Sequence, residues 1–307
     1  MILNRRTFVS HGAASLAVLT LGGCVSSAPT AKAKTWQTLD RSALDLAYNN
    51  SAAVPESGPM FKEWLIRSEK LRARYPEHLN LTYGSRSRNR IDYFSVGKNT
   101  PVLVFIHGGF WQMRSKDDFA FLAESFLASG VSVAMVGYSL APEATMDEIV
   151  AEAHAAIRYL TTQLPKLGGD PQRMMVSGWS SGGHLASMVV DEPSLLGGVS
   201  ISGIFELEPL LKSYINDKLN MDLAMAQRNS PILVLPKSSK QLDLFAGSAE
   251  LPEMRRQTSD YASARRAAGL PTRYAEIPDA NHYTILNSMM NTGGTIHQAI
   301  MTMLSKT

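Results

Sequence analysis

The chain contains a single cysteine, Cys24, so no disulfide can form within it. It also lacks Cys-x-x-Cys, His-Glu-x-x-His and Gly-x-x-x-x-Gly-Lys-Ser/Thr, and no metal or nucleotide motif survives a spacing check. Charge of one sign is missing too: 30 Lys and Arg face 27 Asp and Glu. Loss of residues 1–23, which carry Arg5 and Arg6 and no acid, would leave 28 bases against 27 acids. A near-neutral body argues against a nucleic-acid partner, which needs a basic stripe. The chain shows no internal repeat and no linker that would divide it. What remains, 307 residues at 45% hydrophobic and 19% charged, suits one large globular domain.

The N-terminus reads as an address. Asn4-Arg5-Arg6-Thr7-Phe8 is a short basic region, and residues 13–21 form an apolar run about half the length needed to span a bilayer. The order fits an export signal at 1–23, and the paired arginines resemble a twin-arginine signal. Leu21-Gly22-Gly23-Cys24 resembles a lipoprotein cleavage box. The expectation is an exported, periplasmic protein that meets the membrane only through a lipid anchor on Cys24, with residues 24–35 as a flexible tether. An ordinary cleaved signal with an incidental cysteine is the alternative.

Residues 36–307 then read as a single domain. Helices are expected at 42–50 and 59–74, the second with Phe61, Trp64, Leu65 and Leu71 at core-facing spacing. Residues 79–83 and 91–96 read as a hairpin-like strand pair. The run 102–106 is apolar throughout, as in a strand buried on both faces. Helices at 119–128, 146–164, 184–190, 253–268 and 284–304 alternate with strands at 131–136, 174–177, 198–201, 242–246 and 272–277. This rhythm implies an α/β fold with a mostly parallel sheet and helices on both faces. Residues 205–235, which include Pro209 and Pro231, break it and read as a small lid insertion over the strand ends.

The chemistry centres on Gly178-Trp179-Ser180-Ser181-Gly182, a G-x-S-x-G between a strand and a helix, the context of a nucleophile elbow. A serine nucleophile needs a base, and the base needs an orienting acid. His282 follows the last strand and is the expected base; His184 reads as structural, and His297 as a surface or capping residue. Glu250, in the loop after strand 242–246, is the favoured acid, with Glu253 and Asp279 as alternatives. Oxyanion donors are expected from the backbone of Ser181 and from Gly109 and Phe110 in His107-Gly108-Gly109-Phe110-Trp111. His107 would brace that loop. Phe110 and Trp111 would line an acyl or aryl pocket or pack beneath the lid.

From about Arg74 onward the chain resembles the α/β-hydrolase-fold arylformamidases, also called kynurenine formamidases, and the related carboxylesterases. The resemblance runs through His107-Gly108-Gly109-Phe110-Trp111, Tyr138-Ser139-Leu140-Ala141-Pro142-Glu143, Gly178 to Leu185, and Ser202-Gly203-Ile204-Phe205-Glu206. It continues through Ser230-Pro231, Glu250-Leu251-Pro252-Glu253 and Asp279-Ala280-Asn281-His282. It implies an α/β-hydrolase fold, a Ser180–Glu250–His282 triad, and neither metal nor organic cofactor. Glu250 stands where some members carry Asp, and Ser181 where Ala is familiar. The implied activity is hydrolysis of small carboxylic or aryl esters, or of aryl formamides, with N-formylkynurenine as a narrower alternative. A binding module without catalysis is the contrasting expectation; its mark would be a missing triad member.

Overall fold

The structure, a computed structural model, describes residues 35–305. The export signal at 1–23, Cys24 and all but the last residue of the tether lie outside the described residues. After a short 3-10 turn come α1 (Arg41–Tyr48), α2 (Asn50–Ala53) and α3 (Ser57–Arg74). Asp40 caps α1 by accepting the Ala43 N–H at 2.9 Å. Phe61, Trp64, Ser68 and Leu71 form the buried stripe of α3. Leu65 was expected on that stripe but lies on its solvent flank, 43% exposed.

The strands are β1 (Leu81–Thr82), β2 (Arg90–Phe94), β3 (Thr100–Ile106), β4 (Ser132–Val136), β5 (Gly169–Trp179), β6 (Leu195–Ile201), β7 (Gln241–Gly247) and β8 (Thr272–Ile277). They form one sheet in the order β1-β2-β4-β3-β5-β6-β7-β8. β1 and β2 pair antiparallel, as the hairpin-like pattern anticipates, and β2 also pairs antiparallel with β4. Every pairing from β4 through β8 is parallel. β3 explains the two-sided core. Val102, Val104 and Ile106 enter one apolar cluster, while Leu103 and Phe105 enter the cluster on the opposite face.

Between and after the strands lie α4 (Glu124–Ala128), α5 (Met146–Leu167), α6 (Ser181–Val189), α7 (Asn216–Leu219), α8 (Leu223–Arg228), α9 (Pro252–Ala267), α10 (Asn287–Met290) and α11 (Thr295–Leu304). α5 opens with a Thr145/Glu148 capping box and ends at Gly168, whose φ of 89° is left-handed. The helix expected at 119–128 is a 3-10 stretch, Lys116–Ala123, followed by α4. Ser68 explains the tighter winding: its hydroxyl donates to Asp118 O and accepts the Phe121 N–H, at 3.0 and 3.1 Å. The single closing helix expected at 284–304 is three pieces. It breaks where the Asn291 side chain accepts the Gly293 N–H, and where any Cβ on Gly294 would stand 2.1 Å from Ser288 O.

Residues 205–235 hold α7 and α8 and bury Leu207, Leu210, Ile215 and Ala226 in the core. Gln112 Nε2 donates to Ile215 O at 2.5 Å, and the Tyr214 N–H donates to Asp45 Oδ1 at 2.7 Å. Among the described residues no helix is long and apolar enough to cross a membrane.

Candidate active site

β5 delivers the chain into the elbow. Ser180 sits at φ 58°, ψ −123°, a strained conformation for a residue with a Cβ. The tight turn fits only because its flanks are glycine. A Cβ on Gly178 would lie 2.1 Å from Gly182 O, and one on Gly182 would lie 2.0 Å from Ile106 O. Gly182→Ala is therefore expected to destabilise the fold by about 3 kcal/mol or more, since backbone rather than a flexible side chain must give way. Chemical denaturation checks this; a stability within about 1 kcal/mol of wild type, the scatter of tolerated substitutions, would count against the geometry.

The loops at the C-terminal ends of the strands bring three distant residues together. Ser180 Oγ lies 3.1 Å from His282 Nε2. His282 Nδ1 lies 2.9 Å from Glu250 Oε2. A carboxylate only accepts, so Nδ1 carries the proton and Nε2 is left to accept from the serine hydroxyl. The other carboxylate oxygen accepts the Ser202 hydroxyl at 2.5 Å and the Gly247 N–H at 2.6 Å. Trp179 Nε1 donates to His282 O at 2.8 Å, which anchors the histidine loop to the elbow. All three residues are buried.

Neither alternative acid takes the place of Glu250 at His282 Nδ1. Glu253 accepts from the Tyr48 hydroxyl and from Arg256, and Asp279 is an exposed turn residue whose N–H donates to Ser248 Oγ. His297, expected at the surface or as a cap, is instead buried; its ring stacks on Phe126 and Nδ1–H donates to Met289 O at 3.1 Å.

The loop after β3 carries left-handed φ values at Gly109 (127°), Phe110 (51°) and Trp111 (58°). A Cβ on Gly109 would meet Met113 O at 2.2 Å. The N–H groups of Gln112 and Met113 close the turn onto Gly109 O, and those of Gly109 and Phe110 have no backbone acceptor among the described residues. Ser181 opens α6, where helical bonding leaves the N–H free. His107 braces the loop: Nδ1–H donates to Gly108 O at 2.8 Å, and the ring stacks on Tyr138, whose hydroxyl donates to His107 O at 2.9 Å.

Trp111 does not line the pocket expected of it. It is fully buried and donates from Nε1 to His184 Nδ1 at 3.2 Å, while His184 Nε2–H donates to Asn229 O at 2.7 Å. This relay ties the glycine-rich loop through α6 to the 205–235 insertion. The cavity beside Ser180 measures about 50 Å³ and is walled by Phe61, Phe110, Trp179 and Tyr283, with Asn50, Ser51 and Arg114 among its polar lining. The Arg114 guanidinium lies 3.6 Å over the Phe61 ring. Thus α2 and α3 cover the site, and no residue of 205–235 lines it. The sequence offered no signal for this cover, because helical periodicity marks which residues are buried but not what they are buried against. Ser202 was likewise missed as the support of Glu250; its place at the C-terminal end of β6 was the available hint.

Burial pushes the His107 imidazole down to about 3 and that of His184 down to about 4. In the unfolded chain both return to the ordinary value near 6.5, so below that pH the unfolded chain binds protons that the folded one refuses. Stability is full above about 6.5 and falls as the pH drops toward 4, by up to about 1.4 kcal/mol per pH unit for each ring. Urea denaturation at about pH 7.5 and pH 5 measures this, and equal stabilities would contradict it.

The strand order, the strand–turn–helix serine and the two loop-borne partners at the strand ends decide the fold. The chain has an α/β-hydrolase fold. The BD-FAE family model matches residues 94–193 of the chain. Kynurenine formamidase of Danio rerio is 28% identical over 296 residues, covering 88% of this chain and 99% of its own length. That of Salmo salar is 29% identical over 256 residues, covering 78% and 86%. A crystal structure from Silicibacter sp. TM1040 superposes with a TM-score of 0.76 at 25% identity, covering 84% of this chain and 98% of its own. These relatives support an ester- or amide-cleaving member of the fold. Among the described residues no cluster of His, Cys, Asp or Glu could hold a metal ion.

Proposed function

We propose that the chain is a serine hydrolase of small aryl esters or aryl formamides, working through an acyl-enzyme. The observation that carries this is the unbroken hydrogen-bonded chain from Ser180 Oγ through His282 to Glu250. Ser180 Oγ attacks the carbonyl carbon as its proton passes to His282 Nε2, and Glu250 supports the resulting imidazolium. The carbonyl oxygen, now an anion, faces the N–H groups of Gly109, Phe110 and Ser181. Collapse breaks the bond to the leaving group, which takes the proton from His282. Water then repeats the sequence on the acyl-enzyme and frees Ser180.

The cavity supports the restriction to small acyl groups: about 50 Å³ is several-fold below the usual 300 Å³ or more of a drug-sized site. The names of the fish relatives favour a narrower second reading, N-formylkynurenine hydrolysis. An exported, lipid-anchored placement through Cys24 belongs to the same proposal and rests on residues 1–24 alone.

The test is a panel of p-nitrophenyl acetate, butyrate and octanoate, with formanilide and N-formylkynurenine, assayed on the full chain. The kcat/KM is expected to fall by roughly tenfold or more from acetate to octanoate, a loss of about 1.4 kcal/mol of transition-state binding. A rate that rises with chain length would overturn the small-acyl reading.

A further inference from the structure

Asn50 presents a problem that the acyl-transfer machinery leaves unsolved. It lies at the start of α2 and lines the cavity beside Ser180. Only 3% of it is exposed, yet neither Oδ1 nor Nδ2 has a hydrogen-bond partner among the described residues. Leaving a buried amide bare costs free energy, so such a group is expected to meet something that enters the cavity.

Its position is held from both sides. Just before it, the Tyr48 hydroxyl donates to Glu253 Oε1 at 2.9 Å and accepts from Gln257 Nε2 at 2.7 Å. Just after it, Ser51 Oγ lies 2.9 Å from the Tyr283 hydroxyl, in the residue next to His282. The amide is therefore fixed relative to the histidine that protonates the leaving group, as a recognition element must be.

We propose, resting on the serine-hydrolase reading above, that Asn50 is a specificity-determining residue that favours leaving groups bearing an N–H, amides and formamides, over esters. The carboxamide offers both an acceptor and donors. An ester of a simple phenol has acceptors only: it can satisfy Nδ2 at best and always leaves Oδ1 bare. An anilide supplies the missing donor, its N–H. In its cleavage the Ser180 Oγ–carbon bond forms, the carbon–nitrogen bond breaks, and His282 delivers the second proton to nitrogen. The original N–H stays on that nitrogen throughout and can remain bonded to Asn50 Oδ1. A site built around such a bond discriminates against the analogue that lacks it.

The experiment compares 4-nitroacetanilide with 4-nitrophenyl acetate, which share acyl and aryl groups, in the full chain and in Asn50→Leu. The anilide-to-ester ratio of kcat/KM is expected to fall by roughly tenfold or more in the variant. A ratio within about twofold of wild type, or a wild-type chain that cleaves the ester and not the anilide, overturns the proposal. Should Asn50→Leu fail to fold, the unaltered chain decides: N-methyl-4-nitroacetanilide, which has no N–H, is expected to react at least about tenfold more slowly than 4-nitroacetanilide, and equal rates overturn the assignment. Fluorophosphonate labelling separates the two failures. An unlabelled Ser180 overturns both readings, whereas a labelled Ser180 with an unchanged ratio overturns only the role of Asn50.

Discussion

Ser180→Ala is expected to lower kcat/KM on p-nitrophenyl acetate by about 10⁴-fold or more, with the fold intact. The hydroxyl oxygen is the only group removed. Alanine keeps the Cβ, so the strain of the φ 58° backbone is neither relieved nor increased, and among the described residues the one side-chain bond lost is that to His282. The thermal midpoint should therefore stay within a few degrees of wild type. Activity within tenfold of wild type, on the order of 1.4 kcal/mol, would remove Ser180 from the reaction.

Glu250→Gln is expected to cost about 10³- to 10⁴-fold in kcat while leaving the site assembled. The carboxylate accepts from three donors: Ser202 Oγ, the Gly247 N–H and His282 Nδ1–H. Glutamine matches the shape but turns one acceptor into a donor. If its NH₂ faces His282, the imidazole must accept at Nδ1 and carry its proton at Nε2, which then points a donor at Ser180. If the NH₂ faces the other way, it confronts the Gly247 N–H and the Ser202 hydroxyl. Either arrangement loses the base or its support. Comparison of kcat for the two proteins, with circular dichroism as a control on folding, measures the effect. A loss below about tenfold would show that the acid is dispensable.

How far the sequence could be read depended on how local each signal was. β3 was legible because five consecutive apolar residues can only be buried on both faces. The elbow was legible because glycine two positions either side of a serine reports a steric demand, which the 2.0–2.1 Å approaches at Gly178 and Gly182 make explicit. Glu250 and His282 followed from chain order and loop position. The closing helix misled, since Ile296 and Ile300 continue an apolar period past a turn that the Asn291 side chain and Gly294 impose. Trp111 misled in another way. Its place in the glycine-rich loop after β3 suggested the pocket, but its indole nitrogen needed a buried partner and found it in His184. The cover of α2 and α3, with Asn50 beneath it, depends on contacts between residues more than 200 positions apart, such as Tyr48 with Glu253 and Ser51 with Tyr283. No local pattern encodes these.

The most direct measurement is the intact mass, followed by peptide mapping, of the full chain treated with a fluorophosphonate. One adduct on Ser180, absent from Ser180→Ala and sharply slowed in Glu250→Gln, is the predicted result. No adduct, or an adduct on another residue with Ser180 unmodified, would contradict the assignment of Ser180 as the nucleophile.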